Sequence, residues 1–351
     1  MITVAVSGIN AVDNPGPGIG IIRSLKESHL NVRTIGLAYD SMEPGIYLDH
    51  LVDKSYMMPY PSGDVASFMN RIQHIHSLEK LDVIISTLDA ELPVYMDIES
   101  KLLQSGINML IPTKQMFNLR NKNKLQDLSK AINILTPQYL SCSSYEDLVK
   151  ATQKIGFPCM IKGPFYEAFK ANSSGEAQSY FIKLADKWGF PIIAQKFVKG
   201  QEYDVVGCGD GNGNSMGLFA IKKMTTTALG KVWNAISINN ERLLQTCHRL
   251  LEHLSWRGGF EMEVLIEENT DDIYLLEINP RFPAWVYMSA ACGINLPERM
   301  VCFLLDMDHE THSNYKSGKI MIRHTNEILK DISDFEQISS FGELENNKRP
   351  M

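Results

Sequence analysis

Leu275-Leu276-Glu277-Ile278-Asn279-Pro280-Arg281 is the stretch that decides how this chain is read. On an extended strand, residues two apart face the same way, so Glu277 and Asn279 project together. Two oxygen ligands side by side suit a hard cation such as Mg²⁺, which takes one or two protein oxygens and leaves its other positions to water and phosphate. Fourteen residues earlier, Glu263 lies in another strand-like run, Phe260 to Ile266. It brings a second carboxylate to the same ion if the two strands are hairpin neighbours. The alternative is a solvated strand with polar residues outward and Leu276 and Ile278 inward, although Asn-Pro-Arg is an odd ending for a plain surface strand.

A cation site beside phosphates needs lysines or arginines as well. Lys162 closes an otherwise apolar run, Cys159 to Lys162, where an ammonium is costly to bury unless an anion meets it. It can touch a phosphate as a point charge, or simply snorkel at the strand end. Lys222 and Lys223 close another run, and alternation sends one of them to the opposite face, so only one reaches the phosphates. Arg120, Lys122 and Lys124 form a basic run that reads as a solvated helix face.

The rest of the chain is ordinary globular sequence. Its 351 residues exceed the usual domain length about twofold, which predicts two or three domains. Lys and Arg number 34 against 41 Asp and Glu, a net charge of -7 that argues against a nucleic-acid partner. The longest uncharged run, Phe282 to Pro297, is too short and too broken by Pro and Gly to cross a bilayer. The start carries no signal-peptide pattern, so a cytoplasmic protein without a membrane partner is expected. Six cysteines without a CxxC pair read as buried thiols rather than a disulfide or zinc framework.

Over the first 110 residues β-branched runs (Ile2 to Val6, Asn31 to Leu37, Leu81 to Ser86) alternate with amphipathic stretches (Ile19 to Ser28, Val65 to Leu78, Tyr95 to Ser105), predicting a parallel sheet covered by helices. Ligands of such sheets lie beyond the carboxyl ends of the strands, here the loops Gly8 to Gly20 and Thr87 to Glu91. Gly16, Gly18 and Gly20 do not complete a dinucleotide fingerprint, because Ile21 occupies its last position. Their loop either lets backbone N–H groups approach a carboxylate or is a structural turn. Boundaries fall at a first domain 1–112, linker helices and a small α+β unit 113–198, and a strand-rich unit 199–330. The tail 331–351 is expected to fray. Strands are expected at Glu202 to Cys208, Met216 to Lys223, Gly259 to Glu267 and Ile273 to Asn279, with a helix at Asn240 to Leu254.

Taken together, Glu-Ile-Asn-Pro-Arg and the order of segments resemble the ATP-grasp enzymes, in particular the branch of carbamoyl phosphate synthase and biotin carboxylase. The resemblance spans about Ile2 to Ile328. It implies an α/β and α+β ATP-grasp fold: an N-terminal parallel-sheet pre-ATP-grasp domain, a small lid subdomain and a C-terminal antiparallel-sheet subdomain. It implies ATP with Mg²⁺, or Mn²⁺ in its place, as cofactors. Lys124 and Lys162 then match the two nucleotide-contacting lysines, Gln195-Lys196-Phe197-Val198 the hinge that pairs with adenine, and Glu202 the acid on the ribose. Glu263, Glu277 and Asn279 match the magnesium ligands, and Arg281 the arginine beside the transferred phosphate. Lys222 and Lys223, read from the strand pattern alone, join Arg281 as catalytic candidates.

Two departures accompany the resemblance. The lid after Lys162 reads Gly163-Pro164-Phe165-Tyr166-Glu167-Ala168-Phe169-Lys170 instead of a glycine-rich loop, leaving Lys170 or Asn172-Ser173-Ser174 to substitute. After Asn-Pro-Arg, Phe282-Pro283-Ala284-Trp285 replaces the further arginine of the carboxylating and carbamoylating members, which suggests a pocket for an organic substrate. The resulting expectation is an ATP-dependent carboxylate-amine ligase that forms an amide through an acylphosphate. A small carboxylate and an amine are its substrates, an amino acid or peptide among them, and a homodimer is its expected assembly. Gly16, Gly18, Asp89, Glu91 and Trp285 are the substrate-side candidates, although Asp89 and Glu91 equally suit a helix start. A biotin-carboxylase-like carboxylase and a non-catalytic ATP-binding module remain as alternatives.

Overall fold

The computed structural model describes residues 1–12, 14–120, 122–163, 167–308, 310 and 312–346, with the backbone alone for Arg120, Lys122 and Asn123. β1 (Ile2–Val6), β2 (Val32–Ala38), β3 (Lys54–Met57) and β4 (Val83–Ile85) form a parallel sheet in the order β3-β2-β1-β4. Strand alternation splits its side chains between two cores. Val4 and Val6 pack with Ile21, Ile22 and Leu25 of α1 (Pro17–Lys26), while Ala5 packs on the other face with α2 (Val65–Glu79) and α3 (Leu92–Gln104). β3 escaped the sequence reading because Lys-Ser-Tyr-Met carries no β-branched run.

After the short α4 (Lys114–Phe117) and α5 (Lys122–Ala131) comes a small antiparallel sheet. β5 (Tyr139–Cys142), β6 (Cys159–Lys162), β7 (Ala168–Ala171) and β8 (Ile192–Lys196) run in the order β5-β8-β6-β7. α6 (Tyr145–Ile155) and α7 (Ser174–Trp188) cover it through Leu148, Ala151, Ala177, Phe181 and Leu184.

The largest sheet is antiparallel throughout. β9 (Gly200–Asp210), β10 (Ser215–Thr226), β11 (Val232–Ile238), β12 (Arg257–Glu267), β13 (Ile273–Asn279) and β14 (Ile320–Met321) run in the order β13-β12-β9-β10-β11-β14. β11 was not expected: its inward side chains include Ala235 and Ser237, which leave no hydrophobic run to see. α8 (Glu241–Leu254) closes one face. Asn240 caps it by accepting from the Leu243 N–H at 3.2 Å, and Leu243, Cys247, Leu250 and Leu251 form the buried stripe. α9 (Tyr287–Ala291) and α10 (Leu296–Leu304) lie on the other side, in the core that also holds Val4 and α1.

The tail is ordered through residue 346, contrary to expectation. α11 (Ile332–Phe341) leads into β15 (Glu343–Glu345), which pairs antiparallel with β3 and extends the first sheet. Ile338 and Leu344 are buried there, and the Asn346 amide donates to the carbonyls of Ile46 and Val52 at 2.8 and 2.9 Å. Two apolar anchors in a polar stretch are too few to read as structure. Among the described residues, no helix is long and apolar enough to cross a membrane.

Candidate active site

Alternation along β9, β10 and β12 separates a hydrophobic face from a charged one. Val205, Phe260, Met262 and Val264 enter the core beneath α8. On the opposite face Val206, Cys208, Phe219 and Ile221 are apolar, and the strands then continue into Asp204, Lys223, Glu261 and Glu263. β12 and β13 are hairpin neighbours as anticipated, with Glu263 opposite Glu277 and Glu261 opposite Asn279. A β-bulge at Leu276 shifts the register, so Leu275 and Ile278 are the buried residues rather than Leu276 and Ile278.

Lys223 stands at the centre of this face. Its ammonium lies 2.7 Å from Glu263, 3.2 Å from Asp204 and 3.3 Å from Glu202, with the side chain only 6% exposed. The Asn279 amide donates to Glu261 at 3.0 Å and to Glu263 at 3.1 Å. The Trp285 indole N–H donates to Glu261 at 2.7 Å. Arg281 pairs with Asp89 at 3.2 Å and lies 3.8 Å from Glu261, tying the first sheet's loops to the charged face.

Burial sets the electrostatics, and the cations correct it. Burial pushes Glu261 up to about 7, helped by the charge on Glu263. It drives Asp204 well above the usual carboxylate range despite Lys223. Burial acts the same way on Glu263, but the Lys223 ammonium, Arg281 and Asn279 outweigh it and hold this carboxyl below its ordinary value. Burial would lower Lys223, yet the three carboxylates raise it, so it stays a cation.

The donor set fits a magnesium ion. Because the Asn279 Nδ2 faces Glu261 and Glu263, its carbonyl oxygen is turned away from them, on a strand whose neighbour Glu277 is exposed. Glu263, Glu277 and Asn279 thus offer an all-oxygen set that needs water and phosphate to complete it. No group of three or more His, Cys, Asp or Glu that could hold a metal ion is present among the described residues.

The remaining candidates divide. Lys222 pairs across from Tyr203 and by alternation faces away from the acids, while Lys223 is held by carboxylates instead of extending toward phosphates. Lys124 is exposed on α5, and Lys162 ends β6 in the small sheet. Gln195 is buried in β8 and Val198 just after it; the Lys196 N–H donates to the Gln138 carbonyl at 2.7 Å, and Lys170 lies 4.1 Å over the Phe197 ring. Glu202 is half-exposed beside Lys223. In the lid, the Gly163 N–H donates to the Glu167 carbonyl at 3.0 Å, whereas Pro164, Phe165 and Tyr166 lie outside the described residues. The turn suggested as a phosphate cradle is a helix cap: Ser173 accepts from the Glu176 N–H, and Asn172 donates to the Glu176 carboxylate.

Three substrate-side expectations need correction. The N–H groups of Gly16 and Gly18 donate to the carbonyls of Asn10 and Gly8 at 2.7 and 2.9 Å, so the loop is a closed turn. A Cβ on Gly18 would lie 2.1 Å from the Ser7 carbonyl oxygen, so glycine is required by close backbone approach. Glu91 is fully buried and accepts from Ser7, Ser86 and Tyr39, out of reach of an amine. Trp285 is buried against Phe219, so it positions Glu261 and lines no open pocket.

Sequence reasoning missed Asp204 and Glu261, although the signal was present. Glu202-x-Asp204, Glu261-x-Glu263 and Glu277-x-Asn279 repeat one two-residue spacing on three adjacent strands. It also missed Arg323, which donates to the Ala284 carbonyl at 2.8 Å and whose Nε is buried without a partner. Only the tertiary fold brings it beside Phe282–Trp285.

With this geometry in hand, comparison with known proteins is informative. The structure superposes on biotin carboxylase from Campylobacter jejuni with a TM-score of 0.68 at 16% identity, covering 91% of this chain and 74% of that one. It superposes on N5-carboxyaminoimidazole synthetase from Staphylococcus aureus with a TM-score of 0.66 at 16% identity, covering 91% and 80%. The chain has the ATP-grasp fold. A family model described as ATP-grasp in the biosynthetic pathway with Ter operon matches residues 190–328, from the last strand of the small sheet through the central ATP-grasp sheet. The carbamoyl phosphate synthase large chain of Pyrococcus furiosus is 22% identical over 261 residues, covering 68% of this chain. This chain spans 23% of that relative's length.

Proposed function

We propose that the protein is an ATP-dependent carboxylate-amine ligase acting with Mg²⁺. The observation that carries this reading is the charged face of the central sheet, where Glu263 and Glu277 pair across neighbouring strands, Asn279 braces Glu263 and Arg281 flanks them. Glu263, Glu277 and Asn279 would hold the metal, which supplies charge neutralisation for the phosphates of ATP. Lys223 keeps Glu263 ionised, Asn279 and Trp285 orient Glu261, and Arg281 offers a guanidinium to a transferring phosphoryl group. Lys124, Lys162, Gln195 to Val198 and Glu202 are assigned to the nucleotide.

In the reaction, a carboxylate oxygen attacks the γ-phosphorus of ATP, and the bond to ADP breaks. The amine nitrogen then attacks the acyl carbon, phosphate leaves and the nitrogen loses a proton. Positioning and electrostatics do this work, so no side-chain nucleophile is called for. The biosynthetic description of the matching family model supports small-molecule substrates. A homodimer and an amino acid or peptide substrate are carried forward as part of this proposal.

One observation favours a second reading, activation of bicarbonate. Arg323 brings a guanidinium to Ala284, within the segment where a further arginine was missing in sequence. ADP and phosphate release from ATP·Mg²⁺, measured over a panel of amino acids, short peptides and bicarbonate, separates the readings. Release that requires both an acid and an amine supports the ligase. Release with bicarbonate alone moves the assignment to a carboxylase, and binding of ATP without release under any condition moves it to a binding module.

A further inference from the structure

A cavity of about 350 Å³ opens at the beginning of β10, lined by Ser215, Gly217, Glu241, His248, Arg299 and His312 among others. Lys223 lies seven residues further along the strand than Met216, roughly 23 Å away at the usual strand rise. None of the residues assigned to ligation lines it.

Its lining includes a buried cation. Arg299, on α10, is 3% exposed. Its two terminal nitrogens donate to the carbonyls of Met216 and His312, both at 2.8 Å, which fixes the guanidinium in place. Among the described residues, these occupy two of its five N–H groups. Among the described residues no carboxylate comes within ion-pair distance of it. Burial lowers its pKa, against the more distant charges of Glu310 and Glu298. A buried guanidinium that meets only neutral oxygens is costly unless an anion joins it.

The backbone is shaped to allow this. β10 bulges between Ser215 and Gly217, and the Gly217 N–H donates to the Ser215 hydroxyl at 3.0 Å. Gly217 has φ +153, and a Cβ there would lie 2.9 Å from Leu296 and 3.0 Å from the Arg299 Nη1. Glycine therefore lets the arginine approach the strand beside the cavity.

We infer that this cavity is a second ligand site, binding a small molecule through an oxyanion, carboxylate or phosphate, held by Arg299. His248 and Ser215 also line the cavity and supply further hydrogen bonds. Glu241, also in the lining, opposes a second negative charge, so the ligand carries one anionic group on a polar body. The volume falls in the range of small-molecule pockets.

The test is site-resolved. The full chain, saturated with ADP·Mg²⁺ to occupy the proposed active site, is titrated with inorganic phosphate and separately with lactate while the histidine Hε1 resonances are followed by NMR. Saturable shifts of His248 and His312 are expected with at least one probe. Phosphate alone acting identifies a phosphate-bearing ligand, and lactate alone a carboxylate. Arg299→Met should abolish the shifts. Because that residue is buried and its loss can unfold the protein, Leu244→Trp, which fills the cavity from α8 and retains Arg299, should abolish them too. Immobile His248 and His312 signals with both probes up to about 10 mM, an affinity too weak to matter, would overturn the proposal. Undiminished shifts in Leu244→Trp would do the same.

Discussion

Two clusters of buried acids sit on either side of Arg281, and they are built in opposite ways. On the central sheet, Asp204 and Glu263 pair with Lys223 and Glu261 adjoins Arg281, so burial is opposed by cations. Beneath the loops of the first sheet, Glu91 is held by the hydroxyls of Ser7, Ser86 and Tyr39 and Glu43 by the backbone N–H groups of Tyr39 and Asp40. No cation pairs with either acid among the described residues. Burial raises Glu91 and pushes Glu43 up to about 7. Glu263, which the cations hold below its ordinary value, is the member of the first cluster suited to meet a metal and phosphates, whereas burial still raises Asp204 and Glu261. Glu91 and Glu43, raised by burial and held by hydroxyl and amide donors, act as structural knots.

The largest effect expected from breaking this contrast is at Lys223. Replacing it with Met leaves Asp204 and Glu263 buried without their cation, and unfolding by urea should show a loss of about 3–5 kcal/mol. A loss no greater than that of an ordinary surface substitution would mean that the charged face is not organised around Lys223.

The second cluster yields a pH prediction. The folded pKa of Glu43 is raised from the ordinary 4.5 to about 7, so the folded state holds a proton that the unfolded chain releases. Stability from this group is intact below about 4.5, declines as pH climbs to 7, and the penalty is complete above that. Glu43→Gln removes the titration and should be favoured over wild type at pH 8 relative to pH 4.5 by up to roughly 3 kcal/mol. Parallel stability profiles for the two proteins would place Glu43 among ordinary ionised acids.

A smaller effect sharpens the comparison at its edge. Trp285→Phe keeps the ring against Phe219 and deletes the N–H to Glu261. The expected cost is about 1 kcal/mol in stability, together with reduced turnover as Glu261 is released from its fixed orientation. Unchanged turnover would make Trp285 a packing residue only.

The strand placement of the residues proposed to hold the metal was legible from one period. Glu277, Asn279 and Glu263 were readable because strands alternate and a hairpin returns, and Asp204 and Glu261 obey the same spacing. The substrate side was not readable. Glu91 looked like an exposed acid at a helix start because nothing in the sequence tells that Ser7, Ser86 and Tyr39 converge on it. Gly16 and Gly18 looked available because their N–H partners, Asn10 and Gly8, lie across a turn whose closure is tertiary. Arg323 and the β15 tail depend on contacts across most of the chain, which a local pattern cannot carry.

The central claim is that the charged face of the β9 to β13 sheet binds ATP together with Mg²⁺. Calorimetric titration of ATP into wild type and Glu277→Ala, with and without Mg²⁺, tests it most directly. Glu277 is exposed, so the substitution leaves the buried core intact. The account predicts Mg²⁺-dependent binding by wild type that weakens by at least about tenfold, 1.4 kcal/mol, in the variant. Equal ATP affinity in the two proteins, or affinity indifferent to Mg²⁺, would contradict it.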